Sequence, residues 1–325
     1  MLGTMKRHVV WVLALGGCAL HAHSPDDGAG MRSRIGSAAK CASPPVAGTT
    51  RFRHLRSRIV ARLGAPRHRG TDVIAVDGDA AQTLSGKLAY AVTDSDLTGE
   101  DVAVFACVDD AWKLLGETRS DGNGRFALSV SGGDRLPIGM RDVYAHVRGD
   151  GSGVRFLAYV AKPGEAVIVT DVDGTLTESE NAILRSVVFG DDIGHRIGAP
   201  EALARSGRTI VYLTARGDQF TELTRRWLRD HGFPSGPLRL ARAAITRPGA
   251  PTVEFKTRAL RGLVVPIDAA IGNKQTDIQA YAGAGVPASR IFVKLPEFES
   301  ELRDDLSAGR AIGFFRYPAL PALVH

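Results

Sequence analysis

The stretch Ala166–Glu178, AVIVTDVDGTLTE, constrains the fold more than any other part of the chain. It opens with a short apolar run rich in β-branched residues, the pattern of a strand buried on both faces of a parallel sheet. Two aspartates, Asp171 and Asp173, follow directly, then Gly174 and Thr175. Open α/β sheets bind ligands just beyond the carboxyl ends of their strands, so both carboxylates fall where such a fold does chemistry. A polar turn closing a strand would look similar, because Asp-Gly is a common turn pair. Three later stretches decide between these readings.

Downstream of Val167, strands alternate with helical patterns. Ala199–Ser206 reads as a helix, and Thr209–Leu213 as the next buried strand, ending at Thr214. Gln219–Asp230 is amphipathic, Leu238–Leu240 is a short strand, and Phe255–Leu263 is a helix with Lys256 near its start. Ile267–Ile271 is a strand that runs into Gly272-Asn273-Lys274-Gln275-Thr276-Asp277. Ile278–Ala282 is helical, and Arg290–Val293 is the last clear strand. Such alternation makes an α/β domain over residues 164–325. The chemistry follows from the residue types. An aspartate carboxylate can attack phosphorus and divide a hydrolysis into two steps through an aspartyl-phosphate. Asp173, two residues on, can protonate the leaving oxygen and later activate water. A divalent cation and fixed donors must meet the phosphoryl charge. Asp171, the carbonyl of Asp173, and Asn273 or Asp277 offer the oxygen set that Mg²⁺ accepts. Lys256 adds a positive charge and Thr214 a hydroxyl.

In this order the pieces resemble the four motifs of the haloacid-dehalogenase superfamily of phosphotransferases. They look most like its lipin/Ned1/Smp2 (LNS2) branch, through Val172–Glu180, Tyr212-Leu213-Thr214-Ala215-Arg216 and Gly272-Asn273-Lys274-x-Thr276-Asp277. Trp227-Leu228-x-x-His231-Gly232-Phe233-Pro234-x-Gly236 is closer to the phosphatidylinositol-transfer-protein side of that branch. The resemblance implies Asp171 and Asp173 as catalytic residues. It implies Gly174, Thr175, Thr214, Ala215 and Lys256 as phosphate contacts, and Asp171, Asp173, Asn273 and Asp277 around Mg²⁺. Asn273 stands where the wider superfamily has an aspartate, which weakens compensation of the metal charge. On the transfer-protein side the domain binds phosphatidate without hydrolysing it and has lost the second aspartate, whereas Asp173 is present here. The gaps from Asp171 to Thr214 and from there to Lys256, roughly 40 residues each, leave no room for a large cap. The expected fold is therefore an α/β HAD-like domain, a Rossmann-like parallel sheet with little or no cap, preceded by an immunoglobulin-like β-sandwich.

That sandwich is read over residues 71–163, where the period changes to two. Strand patterns fall at Asp72–Val76, Lys87–Val92, Val102–Val108, Lys113–Thr118, Arg125–Val130, Val143–Val147 and Phe156–Val160. Charge matters only once it is located. Residues 1–70 carry +10 and residues 71–325 carry −4, so the net +6 reflects the N-terminal part alone. A mildly acidic body with no recognisable nucleic-acid module argues against nucleic acid as a partner.

Residues 1–23 read as an export signal, with Lys6-Arg7, the apolar run Val9–Leu15 and small residues after it. Leu15-Gly16-Gly17-Cys18 resembles the bacterial lipobox, and ordinary cleavage near Ala22 is the alternative. The expected location is the periplasm or the cell envelope, as a lipoprotein. Residues 24–70 read as a disordered basic arm. Within it Arg51–Arg69 holds seven arginines and no acid, with Phe52, Leu55, Ile59 and Leu63 at near-helical spacing. This fits a helix on an anionic phospholipid membrane surface, or a linker whose apolar residues dock on the next domain. Cys41 and Cys107 could pair in an oxidising compartment, although their settings favour a flexible arm for one and a buried strand position for the other. No C-x-x-C or paired His suggests zinc. The functional expectation is an exported Mg²⁺-dependent phosphatase acting on phosphatidate or a related phospholipid monoester. The alternatives are a phosphatidate-binding module without catalysis, or a capless phosphatase for proteins or soluble phosphoesters.

Overall fold

The computed structural model describes residue 41 and residues 43–179, 193–242 and 248–320. The export signal, Cys18 and the first part of the arm lie outside these residues.

A short helix, α1 (Leu55–Val60), precedes the strands β1 (Arg69–Thr71), β2 (Val73–Val76), β3 (Ala81–Lys87), β4 (Ala89–Tyr90), β5 (Ser95–Asp96), β6 (Asp101–Val108), β7 (Ala111–Arg119), β8 (Arg125–Ser131), β9 (Gly139–Val147) and β10 (Gly153–Ala161). One sheet has the order β1-β3-β8 and a second the order β2-β10-β9-β6-β7. Their inner faces meet in one apolar core that includes Leu84, Val102, Val104, Phe126, Val143, Ala145 and Phe156. Alternate strand positions point inward, which is how the period of two becomes a sandwich.

The expected strand Lys87–Val92 is displaced. Pairing runs over β3 instead, and only Ala89–Tyr90 remains a strand further on. The inward residues of β3 are Gln82, Leu84 and Gly86, so apolar alternation is nearly invisible there. Gln82 is satisfied inside, donating to Leu136 O at 3.1 Å and accepting from Leu136 N at 2.7 Å. A Cβ on Gly86 would meet Arg69 O at 2.4 Å.

The described part of the arm is also corrected, because residues 43–70 lie on the sandwich. The Glu100 carboxylate accepts from the backbone N–H groups of Arg53 and His54 at 2.8 and 3.1 Å. Thr50 N donates to Arg148 O at 2.7 Å, and Trp112 Nε1 donates to Ser43 O at 2.6 Å. Arg69 already belongs to β1. These anchors are backbone groups, which leave no trace in hydropathy. Cys41 and Cys107 form a disulfide that closes a separation of 66 residues. The flexible-arm setting given to Cys41 fails for the same reason.

The second half contains β11 (Val167–Asp171), α2 (Ala199–Arg205), β12 (Thr209–Gly217), α3 (Thr221–Asp230), β13 (Leu238–Ala241), α4 (Ala250–Arg261), β14 (Ile267–Gly272), α5 (Gln275–Gly283), β15 (Ile291–Lys294), α6 (Glu299–Ser307) and β16 (Ile312–Phe314). The sheet order is β13-β12-β11-β14-β15-β16, with every pair parallel. Numbered within this half, that is 3-2-1-4-5-6, which reverses direction between β11 and β14 and opens a crevice at their carboxyl ends. All five residues of β11 are buried. The three-residue β16 is too short to show in the sequence pattern.

The halves share packing. Ile74, Val76, Met140, Tyr159 and Ala161 of the sandwich join Val167, Val169, Val211 and Leu213 in one cluster. Asp72, between β1 and β2, is buried against the α/β half. Its carboxylate accepts from Leu157 N at 2.8 Å, Leu238 N at 2.7 Å and Arg225 Nη2 at 2.9 Å. Among the described residues no helix is long and apolar enough to cross a membrane.

The disulfide should be measurable. Unreduced protein should show no reactive thiol at Cys41 or Cys107. Cys107→Ser should lower stability by about 4 kcal/mol, the chain-entropy value for a loop of this length, read as a lower urea midpoint.

Candidate active site

The site forms at the crevice between β11 and β14. Asp171 is the last residue of β11, and its side chain is buried. Lys256, on the buried side of α4, places Nζ 2.6 Å from Asp171 Oδ1 and 2.6 Å from Asp277 Oδ1. The Thr175 hydroxyl lies 3.0 Å from Asp171 Oδ2 and 3.1 Å from Asn273 Oδ1. Tyr317 fixes the loop from behind by donating to Thr175 O at 2.9 Å. Asp171, Thr175, Lys256, Asn273 and Asp277 thus form one connected network.

Asp277 has a role that the motif does not display. Its Oδ2 accepts from Asn273 N at 3.0 Å and Lys274 N at 3.1 Å, so it caps the turn into α5. A Cβ on Gly272 would lie 2.5 Å from Asp277 Cβ, which is why glycine ends β14. Both Asp277 oxygens are therefore occupied by protein donors. In this arrangement the Asp277 carboxylate orients Lys256 and the Asn273 turn.

Asp173 stands apart from this network and is half-buried. Thr214 Oγ1 donates to its Oδ2 at 2.9 Å. Arg216 donates to its Oδ1 through both Nε, at 3.1 Å, and Nη2. Arg216 is itself buried and also reaches Thr224 Oγ1 at 3.2 Å. The sequence shows Arg216 only as part of a motif, and nothing in its spacing announces this grip. The pairing of β12 with β13 shifts register between Thr214 and Gly217, which carries Ala215 and Arg216 out of regular alternation. Gly174 N donates to Thr177 Oγ1 at 2.8 Å, and Gly174 O accepts from Arg196 Nη2 at 3.0 Å. Gly174 and Thr214, expected as phosphate contacts, thus make bonds within the protein in this arrangement. Ala215 is half-buried at the rim.

Burial pushes the Asp171 carboxyl up to about 7, with Lys256 opposing and the Asp277 and Asp173 carboxylates adding to the rise. Burial also acts to lower Lys256, but Asp171 and Asp277 outweigh it and hold the ammonium above its ordinary value. Three carboxylates against one lysine and one arginine leave the crevice short of positive charge. Among the described residues no group of three or more His, Cys, Asp or Glu is arranged as a metal cluster. The oxygen donors present, one buried carboxylate at Asp171, the amide of Asn273 and the carbonyl of Asp173, fit a hard cation that keeps waters and a substrate oxygen. The segments from Asp171 to Thr214 and from Thr214 to Lys256 fall partly on residues outside those described.

Known proteins agree with the branch assignment. Residues 168–294 match the family model of the LNS2 domain of PITM 1-3, and residues 66–160 match that of the PITM 1-3 beta-sandwich domain. Membrane-associated phosphatidylinositol transfer protein 3 from Homo sapiens is 29% identical over 245 residues, 73% of this chain and 24% of that protein. Membrane-associated phosphatidylinositol transfer protein 1 from Homo sapiens is 27% identical over 266 residues, 78% of this chain and 21% of that protein. Phosphatidate phosphatase LPIN2 from Mus musculus is 28% identical over 182 residues, 50% of this chain and 20% of that protein. The chain therefore spans about a quarter or less of these relatives. The resemblance to the LNS2 branch is borne out, as is a β-sandwich ahead of the LNS2 domain.

The raised carboxyl of Asp171 gives a stability test. Between the ordinary carboxylate range and about 7 the folded protein keeps a proton that the unfolded chain has released. Stability in metal-free buffer should therefore fall as pH rises through that window. Asp171→Asn removes the contribution, so its urea midpoint should change less between about pH 5 and about pH 8 than that of the wild type. Equal changes in the two proteins would refute the assignment.

Proposed function

We propose that the chain is a Mg²⁺-dependent phosphatase with phosphatidate or a related phospholipid monoester as its favoured substrate. The observation that carries this is the junction of a buried Asp171, fixed by Lys256 at 2.6 Å, with a second carboxylate two residues on. A parallel sheet reversing beside that aspartate supports the haloacid-dehalogenase reading of the fold.

In the proposed reaction an Asp171 oxygen attacks phosphorus and the bond to the leaving alkoxide breaks. The alkoxide takes a proton from Asp173. Asp173 then takes a proton from water, whose oxygen attacks the aspartyl-phosphate and releases phosphate and free Asp171. Lys256 keeps the Asp171 carboxylate in place and sets its charge. When bound, Mg²⁺ would supply charge compensation for the phosphoryl oxygens, held by Asp171, Asn273 Oδ1 and the Asp173 carbonyl. For Asp173 to act, Thr214 and Arg216 must release it, and an arriving phosphate offers both of them an anionic acceptor.

A cavity of about 630 Å³ adjoins the nucleophile loop, with Ile197, Phe315 and Pro318 supplying apolar wall and Arg196, Lys294 and Arg316 outnumbering the one acid, Glu178, around it. An apolar leaving group bearing anionic phosphate suits that lining. The Cys41–Cys107 disulfide supports an exported protein, since such bonds persist in oxidising compartments. The lipoprotein reading of Cys18 is kept with it. One observation favours a second reading, a phosphatidate-binding module without turnover: both Asp173 oxygens are held by Thr214 and Arg216.

Phosphate release from phosphatidate vesicles and from a soluble phosphomonoester, with and without Mg²⁺, separates the two. Turnover should stop in EDTA and return with Mg²⁺. Asp171→Asn should abolish turnover, and Asp173→Asn should lower kcat by ~10²–10⁴. Retention on phosphatidate vesicles with no phosphate released would favour the binding module.

A further inference from the structure

We propose that α1 and the Ala91–Asp94 turn together form a docking surface for an anionic lipid bilayer; the proposal builds on the reading of a membrane lipid as substrate. Helix α1 is seated by one side only. Ser57 and Val60 are buried, and Phe52 and Ala61 pack on the sandwich core. The opposite side is open: Leu55 is 70% exposed, Ile59 54% and Leu63 59%. Leu55 and Ile59 stand four positions apart in the helix and so share a face, and Leu63 follows in the bend just beyond its end. Val92, 89% exposed, extends the apolar surface. A Cβ on Gly64 would stand 3.0 Å from Ala91 Cβ, and Ala91 N donates to Ala65 O at 3.0 Å. The end of the helical segment and the turn are therefore neighbours.

The exposed charge of the helical segment has one sign, and Asp94 in the neighbouring turn is neutralised by Arg69 and Lys87. Arg51, Arg56, Arg58 and Arg62 are exposed, and among the described residues none has a carboxylate partner. No acidic residue occurs between Gly28 and Thr71. Exposed aliphatic side chains ringed by unpaired arginines match the two halves of a bilayer interface, acyl chain and anionic headgroup. Nucleic acid would use the arginines but leave the aliphatic residues in water. Single strands are gripped by stacked aromatic residues, and the exposed face has none.

The surface is tied to the active-site edge of the sheet. Arg69 bonds Asp94, in the same turn as Val92, at 2.5 and 2.7 Å, and ion-pairs with Asp218 at 2.7 Å. Asp218 follows Arg216, which holds Asp173, by two residues. Docking through α1 would thereby fix that edge relative to headgroups, the placement that an enzyme working on membrane-embedded substrate requires.

The test places an environment-sensitive fluorophore at Ile59→Cys in the full chain, with Cys18→Ser in every arm so that no acyl chain contributes. A label at Lys113→Cys is the control. Emission at position 59 should rise with vesicles of phosphatidylglycerol and phosphatidylcholine but not with phosphatidylcholine alone, and the control should stay flat. Replacing Arg51, Arg56, Arg58 and Arg62 by Gln should weaken vesicle partitioning by at least about tenfold in low salt. Turnover of a soluble phosphomonoester should be unchanged, which also reports an intact fold. The proposal is overturned by a flat signal at position 59, by equal partitioning of the arginine variant, by a label already shielded before vesicles are added, or by a response to oligonucleotide and not to vesicles. Failure of the wild type to release phosphate from any substrate would sink the catalytic reading alone, since the fluorescence result stands apart from turnover.

Discussion

The buried carboxylate of Asp72 holds this molecule in its shape. The residue lies where the chain leaves one sheet of the sandwich for the other, between β1 and β2. Its oxygens accept from a backbone group on β10, a backbone group on β13 and the Arg225 guanidinium on α3. Arg239 reaches its carbonyl as well. A carboxylate withdrawn from water is costly unless such donors meet it. Here the donors come from both halves of the chain. Leu238 opens β13, β13 pairs with β12, and β12 carries Thr214 and Arg216. The sandwich thus stands two hydrogen-bonded steps from the residues that hold Asp173.

The active-site crevice divides its charge into two groups. Asp171 and Asp277 share Lys256, and Asp173 is held by Arg216 and Thr214. The first group is enclosed, with Asp277 bonded to two backbone donors and Lys256 buried. The second reaches solvent only through Asp173, since Thr214 and Arg216 are buried, and it depends on one arginine. Chemistry that needs a mobile proton carrier beside a fixed nucleophile would draw its motion from the second group. An anion entering beside Arg216 would compete with Asp173 for its guanidinium.

Much of this was legible in the sequence, and the gaps have physical causes. The parallel strands announce themselves as apolar runs because both faces are covered, and the polar residues that end them mark the crevice. Asp171, Thr175, Lys256 and Asn273 could be placed together from their positions at strand ends and helix starts. Asp277 could be placed there too, but not its turn toward Lys256. β3 was hidden because Gln82 and Gly86 occupy inward positions where a hydrophobic residue is expected. The docking of residues 43–54 was hidden because backbone amides and carbonyls do the docking. The Cys41–Cys107 bond depends on that docking, so no local pattern could show it. Arg216 escaped notice because a register shift aims it, and register is a property of two strands.

The cluster that joins Tyr159 and Ala161 to Val167 and Val211 has a consequence for how such a chain can be inherited. Cutting between residues 161 and 167 would strip apolar cover from β11, the strand that bears Asp171, and would leave Arg225 without Asp72. Separating the halves would therefore expose apolar surface on both and leave a buried charge without its partner. The tandem match of both segments to the PITM 1-3 models fits a cassette passed on whole.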